Sequence, residues 1–382
     1  MLNFTYENPT KIVFGRNKVV DLKELVPAQA KVMITYGGNS AERSGLLDEV
    51  RSVIGERIVS EFGGITANPK FERLIEALPI IKEQHVDFLL AVGGGSVIDG
   101  TKFIAAAAML PTNQDPWTLL SEHAKIEAAL PLGTILTLPA TGSEMNGNAV
   151  VSRLSTGQKL DMHGILLYPR FSILDPEYTF SLPPRQIANG IVDSFVHVAE
   201  QYLTYPVKAD ISDRFAESVI AVLLEQGPQT FKNPHDYESR ANFMWAATMA
   251  LNGLIAAGVP EDWATHYIGH QITALKGIDH GRTLAAILPS LLRYDQKNKQ
   301  EKILQLGNRV LGTTTVEDTI KAIENFFLSL DVPVSLKAYD FTAADVEAVI
   351  HTLQISGLTA LGEKKQFGLD DVRAILEMAM KA

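Results

Sequence analysis

The sequence predicts an α/β fold: an N-terminal Rossmann-like parallel-sheet domain followed by an all-helical C-terminal domain. Three features of the chain point to it. Short apolar runs in the first half each stop at a glycine-rich or polar turn that opens a helical segment. Beyond residues 171–176, FSILDP, no convincing strand remains. Ser181-Leu182-Pro183-Pro184 breaks the chain between the two textures. The implied division is 1–180 for a dinucleotide-binding α/β domain and 181–382 for a helical, metal-binding one.

KVMITY (31–36) is β-branched, stops at Gly37-Gly38-Asn39-Ser40, and is followed by AERSGLLDEVRSVI with helical spacing. The unit recurs as DFLLAV (87–92), Gly93-Gly94-Gly95-Ser96 and VIDGTKFIAAAAML. A third run, GTILTLPA (133–140), leads into Thr141-Gly142-Ser143-Glu144. Continuous apolar strands alternating with helices indicate a parallel sheet covered on both faces. In the second half, 184–203, 209–226, 238–257, 260–276, 282–293, 299–311, 315–329 and 342–354 read as helices.

Composition narrows the function. The chain has 382 residues, 46% hydrophobic and 20% charged, and so is globular, with room for two cores. A net charge of −10 without a dense Lys/Arg run argues against nucleic-acid and anionic-membrane partners and leaves small molecules. With no cysteine, thiolate nucleophiles, disulfides and Cys-rich zinc sites are excluded, and any metal must be held by nitrogen and oxygen. The N-terminus MLNFTYENPTKIVFG lacks the basic start and apolar core of a signal peptide, so a cytoplasmic location is expected. The uncharged stretch 241–260 is interrupted by Asn242, Thr248 and Asn252 and reads as a buried helix.

A glycine-rich turn from a strand's carboxyl end into a helix leaves backbone N–H groups for a phosphate and adds the helix dipole. Gly93-Gly94-Gly95-Ser96, with Asp99 one turn on, has that form, although a tight turn alone would also require glycine. At Gly37, Gly38, Asn39 and Ser40 no acid is present to bind a ribose 2′-hydroxyl or repel a 2′-phosphate, which favours NADP over NAD. Thr137, Thr141, Ser143 and Asn146 follow the third strand, where they would contact cofactor or cap a helix.

Asp193 and His197 lie four residues apart in the apolar segment NGIVDSFVHVAEQYL (189–203), on one helical face with β-carbons about 5–6 Å apart. Such a pair does not enter a core without a partner. PEDWATHYIGHQITALKGIDHG supplies His266 and His270 on one helical face and His280 in a following loop, enough for an Asp plus three-His metal centre. Pro260 fits the first turn of that helix, with Glu261 and Asp262 at its positive end. Nitrogen and oxygen donors suit Zn²⁺ or Fe²⁺, which beside a dinucleotide would act as a Lewis acid on a carbonyl.

Taken together, LLAVGGGSVIDGTKFIA (89–105), LTLPATGSEMN (136–146), NGIVDSFVH (189–197) and the H-x-x-x-H stretch closed by GIDH resemble the iron-containing, or group III, alcohol dehydrogenases over nearly the whole chain. ITYGG, DPW (115–117) and NGLIAAGVPEDWATH are most similar to the NADPH-dependent aldehyde reductase and butanol dehydrogenase branch. The resemblance implies the dehydroquinate synthase-like fold of that family. It also implies reversible reduction of short- to medium-chain aldehydes to primary alcohols by NADP(H). It places the metal on Asp193, His197, His266 and His280, with either iron or zinc. His270 becomes a proton-relay member near the nicotinamide. Cofactor contacts fall on Gly94, Gly95, Ser96, Asp99, Thr137, Thr141, Asn146, Lys159 and the Tyr178–Leu182 segment, while NAD-preferring members carry an acid in place of Gly38. Close relatives have GGGS where this chain has GGNS, and Asn39 suits a strained turn. A homodimer is also implied. A glycerol or diol dehydrogenase of the same superfamily, and a metal-dependent lyase like dehydroquinate synthase, are the alternative functions.

Overall fold

The computed structural model describes residues 1–38 and 40–381, the Ser40 side chain excepted. The first compact unit spans Glu7–Leu182. Its sheet contains β1 (Lys11–Phe14), β2 (Val32–Tyr36), β3 (Ile58–Phe62), β4 (Phe88–Gly93), β5 (Leu132–Leu136) and, after an antiparallel pair β6 (Asn148–Arg153) and β7 (Gln158–His163), β8 (Phe171–Leu174). The sheet order is β1-β8-β5-β4-β2-β3. All its pairings are parallel. The expected parallel sheet is present.

β4 and β5 are buried along their whole length, as expected of central strands covered on both faces. Helix α1 (Leu46–Ile54) turns Leu46, Leu47, Val50 and Ile54 inward, where they pack with Val32, Ile34, Leu90 and Val92 of the strands. Each such side chain contributes about 1.5–3 kcal/mol relative to exposure. Helices α2 (Ala77–Gln84) and α3 (Gly95–Ala107) complete the covering layers. From β2 the chain steps outward to β3 and then returns to the other side of β2 as β4, so β2 and β4 flank a topological switch point. Tyr36 pairs with Val92 and Gly93 with Leu136, which aligns the carboxyl ends of β2, β4 and β5 on one edge. Ligands bind at that place in open parallel sheets.

The second unit comprises residues from Pro183 onward together with Met1–Tyr6. Its helices are α4 (Pro184–Tyr202), α5 (Asp210–Lys232), α6 (Tyr237–Ala250), α7 (Ala264–Lys276), α8 (His280–Tyr294), α9 (Gln296–Leu306), α10 (Val316–Leu328), α11 (Ala343–Ile355) and α12 (Leu369–Ala379). The N-terminal residues belong here because Leu2 N donates to Gly258 O at 2.9 Å. Gly258 has φ +78°, and a Cβ there would lie 2.6 Å from Met1 Cγ. Ala264, Ile268 and Ile272 of α7 share a core with Ile287, Leu291, Val349, Leu353 and Leu376. Among the described residues no helix is long and apolar enough to cross a membrane.

Several boundaries differ from expectation. The antiparallel β6–β7 pair, the short strands β1 and β3, helix α12 and a two-stranded hairpin, β9 (Ala360–Leu361) with β10 (Phe367–Gly368), have no counterpart in the sequence reading. Strands of two to six residues are too brief for alternation to register. Helix α5 continues through Pro228, whereas α6 ends at Ala250 and not near 257. Helix α7 starts at Ala264 and not Pro260: Trp263 is left-handed at φ +60°, and Asp262 Oδ1 accepts the Ala264 N–H. His280 opens α8 and does not sit in a loop.

Candidate metal centre and cofactor cradle

Helix α4 carries Asp193, His197 and Glu200 on one buried face, α7 carries His266, and the first residue of α8 is His280. Their side chains converge on one carboxylate oxygen. Asp193 Oδ1 stands 3.8 Å from His197 Nε2, 3.7 Å from His266 Nε2 and 3.8 Å from His280 Nε2. Asp193, His266 and His280 each place a donor atom within 4.8 Å of the others, while His197 stacks on His266 with ring centres 4.5 Å apart. Buried Asp193 Oδ1 and His266 Nε2 have no hydrogen-bond partner. Separations of 3.7–3.8 Å are too long for hydrogen bonds. Donors held about 2.0–2.2 Å from a shared tetrahedral ion would stand roughly 3.3–3.6 Å apart. The donor set thus fits a divalent ion, and oxygen with imidazole nitrogen suits iron or zinc.

Without an ion, burial and the neighbouring groups set the charges at the site. Burial pushes the Asp193 carboxyl up, but the surrounding imidazoles of His197, His266 and His280 outweigh it and hold the group well below the usual carboxylate range. Burial pushes the His266 imidazole down, and the carboxylates of Glu200 and Asp193 override that effect and lift it to about 9.

Groups outside the expected ligand set orient it. The Glu200 carboxylate pairs with His266 Nδ1 and accepts the Thr265 N–H at 2.6 Å, which fixes the ring so that Nε2 faces Asp193. The signal was available, since Glu200 follows His197 by three positions and Asp193 by seven on the same buried helical face. Asp279, next to His280, accepts from Arg185 Nε at 2.5 Å and Asn189 Nδ2 at 2.9 Å. Gly281 allows the backbones to meet there, because a Cβ would lie 2.4 Å from Asn189 O. His270 is half-buried, its ring centre 4.8 Å from that of His280. Trp263 presents an edge to His266 and His197 at centroid distances of 5.3 and 6.2 Å.

In the α/β unit the glycine turns lie on the edge defined by the switch point. Gly37 and Gly38 follow β2, and a Cβ on Gly38 would meet nothing within 4 Å. Asn39 and the side chain of Ser40 lie outside the described residues. Gly94 and Gly95 open α3 after β4. Here glycine is required by packing as well as by any phosphate: a Cβ on Gly95 would lie 2.3 Å from Thr141 Oγ1, and one on Gly94 2.8 Å from Leu138 Cβ. Ser96 Oγ accepts the Asn68 N–H at 3.2 Å, and Lys159 Nζ donates to Asn68 Oδ1 at 2.9 Å. Asn68, left-handed at φ +54°, thus joins two expected cofactor residues that are far apart in sequence.

Asp99, Thr137 and Asn146 are engaged in building the edge. Asp99 accepts from Ser143 Oγ at 2.6 Å and Val150 N at 3.0 Å, and Thr137 N donates to Gly93 O at 3.0 Å. Asn146 Oδ1 accepts from Asn148 N at 3.0 Å and from buried Lys102 Nζ at 3.1 Å. Lys102 also donates to Ser143 Oγ, Asn146 O and Asn148 O, each at 2.8 Å, and was not singled out in the sequence. Tyr178 donates to Glu49 Oε2 at 2.7 Å, and Leu182 N donates to Thr179 O at the end of the unit.

Residues 9–176 match the family described as iron-containing alcohol dehydrogenase, and residues 187–380 match the Fe-containing alcohol dehydrogenase C-terminal family. The chain belongs to the iron-containing alcohol dehydrogenase family. It is accordingly an oxidoreductase of the alcohol dehydrogenase and aldehyde reductase class, as the sequence motifs implied. It is 50% identical to the NADPH-dependent aldehyde reductase YqhD of Escherichia coli K12, over 99% of this chain and 100% of that one. It is 37% identical to a probable NADH-dependent butanol dehydrogenase of Bacillus subtilis, over the full length of both chains. The crystal structure of E. coli YqhD superimposes with a TM-score of 0.97 at 49% identity, covering 99% of each chain. That of NADH-dependent butanol dehydrogenase A from Thermotoga maritima gives 0.95 at 34% identity and the same coverage.

Proposed function

We propose that this enzyme reduces short- to medium-chain aldehydes to primary alcohols with NADPH, reversibly, using a divalent iron or zinc ion held by Asp193, His197, His266 and His280. The observation that carries the reading is the buried Asp193 Oδ1, without a hydrogen bond, facing three imidazole nitrogens at 3.7–3.8 Å. When bound, such an ion supplies Lewis-acid polarisation to a carbonyl oxygen, and the reduced nicotinamide supplies the hydride. Asp193 contributes the negative charge and the three histidines neutral donors. Glu200 keeps the His266 proton on Nδ1 so that Nε2 can bind. His270, beside His280, delivers the proton that completes the alcohol.

Gly94, Gly95 and Ser96 hold the phosphates on backbone N–H groups at the start of α3, flanked by Thr137, Thr141, Asn146 and Lys159. Asp99 anchors the Ser143 turn, and Tyr178 to Leu182 skirt the cofactor. The room for a side chain at Gly38 and the lack of an acid in the sequence of residues 37–40 support NADPH. The E. coli relative is named for NADPH, although the butanol dehydrogenases above are named for NADH. A homodimer is part of the proposal, supported by strand β1, which among the described residues is an edge strand beside β8 with Phe14 exposed. A cytoplasmic location, where nicotinamide cofactors are plentiful, completes it.

The test is the rate of NADPH and NADH oxidation with butyraldehyde, using protein stripped of metal and reloaded with Fe²⁺ or Zn²⁺. Metal-dependent oxidation faster with NADPH is expected. Faster turnover of glycerol or a diol would replace the aldehyde assignment, and turnover of a dehydroquinate synthase-type substrate without net nicotinamide oxidation would replace the reaction.

A further inference from the structure

Lys299 of α9 is the most deeply enclosed ammonium in the helical unit, its side chain 1% exposed. Burying an ammonium is costly unless it is paired and hydrogen-bonded. Its three protons have three acceptors: Leu203 O at 2.7 Å, Asp262 Oδ2 at 2.7 Å and Glu363 Oε2 at 2.9 Å. These come from three separate segments: the end of α4, the turn before α7, and the loop between β9 and β10. A buried ion pair is weak evidence for stability, and a well-packed apolar residue would serve as well for that purpose. What is particular here is the segments joined. Helix α4 carries Asp193 and His197, and α7 carries His266.

From the ammonium the connection to the metal donors is unbroken. Asp262 N donates to Glu200 O at 2.9 Å, and Asp262 Oδ1 accepts from Ala264 N at 2.9 Å. Glu200 accepts from Thr265 N and pairs with His266 Nδ1. Trp263, between these anchors, is held left-handed at φ +60°, a conformation unfavourable for a non-glycine residue, with its ring in edge contact with His266 and His197. A small cavity adjoins these groups, lined by Glu200, Asp262, Thr265 and Lys299 and, on its apolar side, by Ala199, Leu203 and three leucines of α8. Loss of the ammonium would leave the carboxylates room to shift.

We propose that Lys299 is a positioning residue for the metal centre, clamping Asp262 to the end of α4 and thereby setting His266 against Asp193 and His197. The inference rests on the metal site proposed above. It predicts that metal binding at one end of the network depends on an ammonium that touches none of the donors.

The test is Co²⁺ titration of the metal-stripped full-length protein, with affinity read by chelator competition, donor geometry by the visible Co²⁺ spectrum, and NADPH affinity and thermal midpoint in parallel. Lys299→Met is expected to weaken Co²⁺ binding by up to about 10-fold, below the roughly 10–100-fold that loss of a ligand's direct hydrogen-bond partner costs, and to alter the spectrum while NADPH affinity is unchanged. Glu363→Gln, which removes one outer acceptor and leaves Asp262 in place, is expected to give a smaller loss in the same direction, and decides the matter if Lys299→Met does not fold. Unchanged affinity and spectrum with a lowered thermal midpoint would reduce Lys299 to a structural role and overturn the inference alone. Failure of the unaltered protein to bind one Co²⁺ would overturn the metal reading with it.

Discussion

The two units build their candidate sites from different parts of the chain. In the α/β unit the expected cofactor edge is mostly backbone, and many of the side chains around it are already hydrogen-bonded to one another: Asp99 to Ser143, Lys159 to Asn68, Asn146 to Lys102. In the helical unit the site is side chains, and two of their polar atoms, Asp193 Oδ1 and His266 Nε2, are buried without a hydrogen bond. A phosphate needs N–H groups that any residue possesses, so the surrounding side chains are free to brace the loops. An ion needs specific donor atoms left available by the fold, and a buried polar atom left without a partner is costly unless the ion arrives.

The sharpest break of this contrast is His280→Ala. We expect metal affinity to fall by more than the roughly 100-fold that loss of an outer partner costs, turnover to disappear, and NADPH affinity to hold, as checked by metal analysis and cofactor titration. Glu200→Gln should weaken metal binding about 10–100-fold with the same indifference of the cofactor, because it touches the orientation of His266 and not a donor count. Gly95→Ala should do the reverse. Its Cβ meets Thr141 Oγ1 at 2.3 Å, so we expect about 1–3 kcal/mol of lost stability in denaturant unfolding and weaker NADPH binding, with metal affinity intact.

Gly38→Asp should impair NADPH about tenfold or more relative to NADH, through repulsion of the 2′-phosphate; equal effects on both cofactors would place the ribose elsewhere. A final test concerns pH. Burial pushes the Lys102 ammonium down to about 7, against the pull of Asp99 and Glu144. Between that value and 10.5 the unfolded chain binds the proton that the folded one has released, so this group makes stability rise with pH across the window. Lys102→Met should flatten that rise, by at most about 1.4 kcal/mol per pH unit, in unfolding curves measured from neutral to alkaline pH.

Much of the donor set was legible because it is periodic. Asp193 and His197 announce themselves by their spacing in an apolar helix, whereas selecting His280 and not His270 as the fourth donor came only from the family resemblance. Helix α7 was misplaced at its start because Pro260, Glu261 and Asp262 make a good first turn on paper. In the structure Asp262 is drawn instead to Lys299, and the chain enters the helix through left-handed Trp263. Glu200 lies on the same face as Asp193, three positions after His197, a spacing that marks it as readily as the pair itself. Asn68 and Lys102 carry no local signal, since their partners lie tens of residues away.

Fold class, family and the residue types available for chemistry are all readable in the linear chain. Hydrophobic periodicity, glycine turns and clustered motifs are local properties, and the absence of cysteine confines metal ligation to nitrogen and oxygen. Only the folded chain shows that three imidazoles from three helices face one carboxylate oxygen, that three strand ends lie on one edge, and that residues 1–6 join the helical unit. These are relations between segments distant in the chain. They are fixed by burial and by the pairing of buried polar groups, which no residue can satisfy from its own neighbourhood.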